Sequence, residues 1–123
     1  MTLSVQIEII LDAFQLSCDI RVPSNGITGV FGASGSGKTT LARLIAGLES
    51  RSQGRIRFAG EDWQDSTRDI FVPTHARGVG FVKQTSKLFS HLSVRENLAF
   101  GFKRRNQNSK NISIDAVSDL FDL

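Results

Sequence analysis

Two stretches near the N-terminus alternate between apolar and polar residues. They run from Val5 to Leu11 and from Phe14 to Val22, are rich in β-branched residues, and are separated by Asp12-Ala13. A period of two is typical of strands that bury one face, so we predict two antiparallel strands joined by a tight turn. The alternating segment from Gln53 to Trp63, with glycines at 54 and 60, predicts a second hairpin.

Two short apolar runs lack this alternation. One extends from Ile27 to Phe31 after the turn signal Pro23-Ser24-Asn25-Gly26, and the other extends from Gly78 to Val82. Continuous apolar runs of this length are typical of strands buried on both faces of a sheet. We therefore predict two further strands, both inside a core.

Three segments have the apolar spacing of helices. Leu41, Leu44 and Ile45 recur at helical intervals in the segment from Lys38 to Gly47. The sequence Ser93-Val94-Arg95-Glu96 has the form of a capping box and predicts a helix that ends near Gly101. A serine cap at Ser113 predicts a last helix.

Composition narrows the class of protein. The 123 residues include 15 Lys and Arg against 12 Asp and Glu, and 40% are hydrophobic, which favours one soluble globular domain without demanding an anionic partner. Cys18 is the only cysteine, so an intramolecular disulfide is excluded.

The basic cluster from Lys103 to Arg105 is too short to indicate nucleic-acid binding, so no nucleic-acid partner is expected. Neither a signal peptide nor an apolar membrane span is present, which predicts a cytoplasmic protein.

The strongest chemical signal follows the first apolar run. The residues Gly32, Ala33, Ser34, Gly35, Ser36, Gly37, Lys38 and Thr39 match the pattern G-x-x-x-x-G-K-[ST]. The pattern lies between a predicted strand and a predicted helix, which is the context that a phosphate-binding loop requires. A glycine-rich turn that merely caps a helix is the alternative.

The spacing of this loop has a chemical reason. Small residues let backbone N–H groups, from about Gly35 to Thr40, point at phosphate oxygens at the positive end of the helix dipole. Lys38 is expected to reach the β- and γ-phosphates, and Thr39 to offer a hydroxyl to Mg²⁺. Thr40 is expected near the α-phosphate. The loop therefore predicts binding of a nucleotide with Mg²⁺, and by itself it does not separate GTPases, nucleotide kinases and transport ATPases.

Two motif blocks place this loop in a family. The segments from Gly32 to Gly60 and from Val79 to Gly101 resemble the nucleotide-binding domain of ABC transporters. The resemblance implies an α/β P-loop NTPase fold, with a RecA-like core and an antiparallel β subdomain, that is incomplete in this chain. Residues 1–123 would form the N-terminal part of one such domain, with the phosphate loop at 32–39, the Q-loop near 84 and the start of a helical subdomain at about 93–123.

The resemblance also suggests roles for individual residues. Gln84 matches the Q-loop glutamine, which in the family touches Mg²⁺ and the attacking water and links the nucleotide site to the permease. Residues 88–97, from Leu88 to Asn97, match the surface that seats the transmembrane permease subunit, although ordinary core packing of its apolar residues is an alternative. Phe14 is the candidate for stacking on adenine, with packing in the strand core as the alternative.

Within the family the chain most resembles the ATP-binding subunit of molybdate importers, and subunits for sulfate, polyamines or sugars share many of the same residues. The resemblance implies a homodimer in the full-length protein, peripheral on the inner face of the cell membrane through the permease. The sequence contains neither the LSGGQ signature nor an Asp-Glu Walker B pair. We therefore expect a truncated ATPase subunit that does not hydrolyse ATP alone. A stand-alone, non-hydrolysing nucleotide-binding module is the alternative.

Overall fold

The computed structural model describes residues 1–85, 87–104 and 112–123. The chain divides into two compact units, Met1–Phe81 and Val82–Leu123, and each is described by itself. Arg105 of the basic cluster and the polar residues 106–111 lie outside the described residues.

The first unit is built on a five-stranded antiparallel sheet. Its strands, in chain order, are β1 (Thr2–Leu11), β2 (Phe14–Pro23), β3 (Gln53–Phe58), β4 (Glu61–Asp65) and β5 (Ile70–Phe71). The spatial order is β2-β1-β3-β4-β5. Both predicted hairpins are confirmed, with strands that extend a few residues further, whereas the two-residue strand β5 was not predicted.

One face of this sheet and one helix form the core. The central strand β1 pairs with strands on both sides, so Val5 lies opposite Ile20 on β2 and Ile56 on β3. The predicted first helix, α1 (Lys38–Ala46), is confirmed and contributes Leu41 and Leu44 to the same cluster. The buried cluster comprises Val5, Ile7, Ile9, Leu41, Leu44, Ile56 and Trp63. Alternation along β1 leaves the other face of the sheet polar.

The predicted strands at 27–31 and 78–82 do not form. The backbone of both segments has no strand assignment, and Ile27 and Phe31 are almost fully exposed. An apolar run becomes a buried strand only where neighbouring strands accept and donate its backbone hydrogen bonds. Among the described residues no strand pairs with either segment, so the prediction of two buried strands is wrong for this chain.

Two carboxylates of the first unit are held in their charged form. Glu49 accepts hydrogen bonds from Arg51 Nε at 2.9 Å and from its terminal nitrogen at 2.8 Å, and these bonds lower the pKa of Glu49 to about 2. The Thr67 hydroxyl, at 2.6 Å, and then the Arg68 guanidinium, at 2.8 Å, lower the pKa of Asp65 to about 2. Both carboxylates therefore stabilise the folded chain only while they are ionised.

The second unit contains two helices, α2 (Val94–Lys103) and α3 (Ile114–Leu120). The capping box is confirmed, because the Glu96 N–H donates to Ser93 Oγ at 3.2 Å and the Ser93 N–H donates to Glu96 Oε2 at 2.7 Å. The cap at Ser113 is also confirmed, with the Ala116 N–H donating to its hydroxyl. Across the described part of the chain, no helix is long and apolar enough to cross a membrane.

Candidate functional site

The phosphate loop ends where α1 begins, at a helix terminus that no side chain caps. Gly37 is the N-cap residue, its φ of 98° lies in the left-handed region, and the first helical turn contains no acidic residue. The N–H groups of a first turn have no partner inside the helix, and the helix dipole gives this end a partial positive charge. The predicted loop therefore has the geometry of an anion-binding site.

Glycine is required at position 37 by space as well as by conformation. A Cβ atom there would lie 2.8 Å from Phe14 Cζ and 3.2 Å from Leu16 Cδ1. Two side chains of β2 thus pack directly against the backbone of the loop. The contact brings Phe14, the candidate for adenine stacking, beside the phosphate loop.

Lys38 folds back over the loop that precedes it. Its Nζ donates to the carbonyl oxygens of Gly32 at 2.7 Å and Ala33 at 2.8 Å, and lies 3.5 Å from Ser36 Oγ. A turn closed by the Ser36 N–H on the Ala33 carbonyl, at 3.1 Å, brings these acceptors together. Within the described ranges no carboxylate pairs with Lys38, so its charge is held at the loop without being neutralised.

The residues around α1 suit Mg²⁺ only in combination with a phosphate. Thr39 is exposed in the first turn of the helix. In the residues that the structure describes, no group of three His, Cys, Asp or Glu side chains could hold a metal. Mg²⁺ prefers oxygen ligands and commonly keeps several waters while binding one or two protein groups and substrate phosphates. One threonine hydroxyl beside a phosphate loop fits that donor set.

Arg77 supports the other end of α1, and sequence analysis missed it. Its side chain is only 3% exposed and donates to the carbonyl oxygens of Leu44 and Ile45, both at 2.9 Å. It also donates to the carbonyl oxygens of Val72 at 2.7 Å and Trp63 at 3.3 Å. A cation is favourable at the negative end of a helix. The hydrogen bonds of Arg77 thus connect the C-terminal end of α1, the helix that carries Lys38, to Trp63 on β4 and to Val72 after β5.

The surroundings of Arg77 explain its burial. The guanidinium carbon lies 5.0 Å from the ring centre of Phe71 and 5.7 Å from that of Trp63. Gly47 ends α1 in the left-handed conformation, and a Cβ there would lie 2.7 Å from Arg77 Nε. Burial lowers the pKa of Arg77, but an arginine remains charged at any physiological pH. In the sequence, Arg77 is followed by Gly78 and belongs to no recognisable motif, so nothing there indicates that its side chain is buried at the end of α1.

The other predicted site residues lie in the second unit. Gln84 is exposed in a bend, and its role at Mg²⁺ stays a prediction. Leu88 is 71% exposed, so core packing does not explain it. Phe89 is 41% exposed and packs against Phe100 with ring centres 4.5 Å apart.

Asn97 organises the turn that presents these apolar residues. Its Oδ1 accepts from the Phe89 N–H at 2.9 Å, and its Nδ2 donates to the Ser93 carbonyl at 2.9 Å. An amide group is suited to this task because it offers an acceptor and two donors. The side chain of Asn97 thus fixes residues 89–93 at the start of α2, a role that the sequence did not reveal.

The loop sequence and the helix that begins at Lys38 are those of a P-loop protein, and the comparison with known families is more specific. Residues 16–122 match the ABC transporter family, and the chain belongs to it.

Curated relatives refine this assignment. The chain is 49% identical to the molybdenum import ATP-binding protein ModC 1 of Azotobacter vinelandii over 107 residues, which are 87% of this chain and 30% of that protein. It is 53% identical to ModC of Pseudomonas aeruginosa over 91 residues, 74% of this chain and 25% of that protein. It is 42% identical to ModC of Pseudomonas fluorescens over 120 residues, 98% of this chain and 33% of that protein. The chain thus spans a quarter to a third of these relatives.

Proposed function

We propose that this chain is the part of the ATP-binding subunit of an ABC importer that contains the phosphate-binding loop. The observation that carries the proposal is the position of Lys38, which is held by the loop carbonyls of Gly32 and Ala33 beside an uncapped helix terminus. Backbone N–H groups and the Lys38 ammonium would then face the same phosphate group. Family membership makes ATP the nucleotide of choice.

Each residue of the loop has a separate task in binding. Backbone N–H groups from about Gly35 to Thr40 would donate to phosphate oxygens, and Lys38 would balance the charge of the β- and γ-phosphates. Thr39 would hold Mg²⁺ through its hydroxyl, and Thr40 would lie at the α-phosphate. The metal, when bound, neutralises charge on the phosphates. Phe14 would stack on adenine, a proposal supported by the contact of its ring with Gly37.

Hydrolysis needs groups that these 123 residues do not contain. The chain has no LSGGQ sequence and no Asp-Glu pair after an apolar strand. Phosphoryl transfer depends on positioned charges around the leaving and attacking oxygens. Gln84 alone, proposed to contact Mg²⁺ and the attacking water, would not replace them. We therefore propose ATP binding without turnover by this chain on its own, and hydrolysis by the longer proteins of the family.

The surface at residues 88–97 is proposed to seat the permease. The exposed Leu88 and Phe89 are apolar side chains on a turn that Asn97 holds rigid. Apolar anchors on a preorganised turn lose little entropy on docking. Localisation on the cytoplasmic side of the membrane and homodimerisation of the full-length protein follow from this assignment and are proposed with it.

Molybdate is the proposed cargo, because the relatives described above are molybdenum import proteins. Cargo is recognised elsewhere in an importer, so no residue of this chain is assigned to it. The second candidate, a stand-alone nucleotide-binding module, would bind ATP equally well and would not bind a permease. Co-purification with a molybdate permease separates the two.

The decisive experiment on the loop is equilibrium binding of a fluorescent ATP analogue. Lys38→Ala is expected to weaken binding at least about tenfold, the effect of about 1.4 kcal/mol of lost interaction. Lys103→Ala, which removes the same charge from an exposed position on α2, is the matched control and is expected to bind normally. Unchanged affinity in the Lys38 variant would overturn the assignment.

A further inference from the structure

The polar face of the sheet contains a pocket rich in arginine. Its volume is about 350 Å³. The lining residues are Thr2, Ser4, Gln6, Arg21, Arg55, Arg57 and Gly60. Three of the seven are arginines, two carry hydroxyls, and none is acidic. Side chains alternate along β1, so Ser4 and Gln6 point away from the core residues Val5 and Ile7 and from α1.

The strand register brings two of the arginines to opposite sides of one hydroxyl. Ser4 on the central strand β1 lies opposite Arg21 on β2 and opposite Arg57 on β3. Neighbouring strands are about 4.8 Å apart, so the two arginine backbones are about 10 Å apart. Like charges in one cross-strand row repel each other, unless an anion lies between them.

The arginines of the pocket have more hydrogen-bond donors than the acceptors of this chain satisfy. Arg55 makes a two-pronged bond to Asp62, at 2.7 and 2.9 Å, and Arg57 donates to the Gly60 carbonyl at 3.1 and 3.0 Å. These bonds fix the two guanidinium groups in place. Arg21 has no hydrogen bond or ion pair with any residue that the structure describes.

Nearby carboxylates do not cancel this charge. Asp62 is shared between Arg55 and Arg68, and it lies 3.9 Å from Arg57. Asp65 pairs with Arg68 and lies 3.7 Å from Arg55. Asp19 Oδ2 accepts from Gln6 Nε2 at 3.3 Å. Arg21, Arg55, Arg57 and Arg68 together outnumber these three carboxylates by one, and Arg21 is the one of the four arginines that has no ion pair among the described residues.

We propose that this pocket binds a small tetrahedral oxyanion of the phosphate class, held by Arg21 and Arg57 with the hydroxyls of Ser4 and Thr2. Planar guanidinium groups match the spacing of phosphate oxygens and form charge-assisted hydrogen bonds. The site is separate from the phosphate loop, because it uses side chains on the polar face of the sheet and the loop uses backbone N–H groups at the start of α1. The proposal is independent of the function proposed above.

The test uses inorganic phosphate as the probe and the Lys38→Ala chain as the background, so that binding at the loop is weakened. Calorimetric titration at constant ionic strength is expected to show saturable binding, with chloride as the inactive anion. Arg21→Gln is expected to weaken binding at least about fivefold, as for the loss of one charge-assisted contact. Arg95→Gln removes the same charge from an exposed position on α2 and is expected to bind normally.

Two results would overturn the proposal: no saturable phosphate binding, or equal weakening by Arg21→Gln and Arg95→Gln. Amide shifts in a two-dimensional NMR titration of the Lys38→Ala chain supply a measurement that needs no change in the pocket. They are expected at Thr2, Ser4 and Arg21, and shifts confined to residues 32–39 would contradict the assignment. Arg21→Lys keeps the charge but not the planar guanidinium group, so its affinity for phosphate is expected to lie between those of the Lys38→Ala chain and the Arg21→Gln variant.

Discussion

Arg77→Met tests how strongly the phosphate-loop helix depends on a buried cation. Methionine keeps a flexible apolar chain against the rings of Trp63 and Phe71 and removes the guanidinium. The substitution therefore isolates the hydrogen bonds of Arg77 from most of its packing. It leaves Lys38 and the loop sequence unchanged.

The expected cost follows from the carbonyl groups that lose their donor. The Leu44 carbonyl still accepts from the Gly47 N–H at 3.1 Å, and the Trp63 carbonyl still accepts from the Val72 N–H at 2.8 Å. The Ile45 and Val72 carbonyls have Arg77 as their only partner among the described residues. Each unsatisfied buried group costs about 1–3 kcal/mol. Relief of the desolvation of a buried charge offsets part of this, so we expect a net loss of about 2–4 kcal/mol.

Urea unfolding measures this loss directly. Far-UV circular dichroism follows the backbone, and the single tryptophan, Trp63, reports on the core that Arg77 contacts. Arg43→Met is the matched control, because Arg43 lies on the same helix and donates to one carbonyl, that of Leu48, at 3.2 Å. Its expected cost is at most about 1 kcal/mol. An Arg77 variant as stable as the unmodified chain, or an equal loss in both variants, would refute the reasoning.

Three further predictions follow from individual contacts. Gly37→Ala forces an alanine into a left-handed conformation and against Phe14, so ATP affinity measured by fluorescence should fall at least about tenfold; an unchanged affinity would show that the loop tolerates a Cβ there. Ser93→Ala removes the N-cap of α2 and should destabilise that helix by about 1 kcal/mol, detectable as faster amide exchange in its first turn and contradicted by unchanged protection. The pKa values of Glu49 and Asp65 are depressed to about 2, below those of the unfolded chain, so thermal stability should be constant above about pH 5 and fall towards pH 2; a midpoint that rises on acidification would contradict this sign.

Local signals predicted much of the fold because they act within a few residues. Alternation fixed which face of β1 is buried, and a capping box needs only Ser93 and Glu96. The loop pattern likewise specifies its own turn and the helix that follows. These features are confirmed with small changes in their boundaries.

Features that depend on distant partners were not predictable in this way. The run at 27–31 has the composition of a buried strand, but burial depends on neighbouring strands and not on the run itself. Arg77 gains its role from carbonyl groups more than 30 residues away in sequence, at the end of α1. Asn97 acts on a turn eight residues earlier, and an asparagine inside a helix gives no indication of that.

The central claim is that the loop at residues 32–39 binds the triphosphate of ATP. Calorimetric titration of the 123-residue chain with MgATP and, separately, with AMP tests it most directly, because Lys38 and the loop N–H groups are assigned mainly to the β- and γ-phosphates, which AMP lacks. The account predicts saturable binding of MgATP and at least about tenfold weaker binding of AMP. Equal affinity for the two nucleotides, or no binding of MgATP, would contradict it.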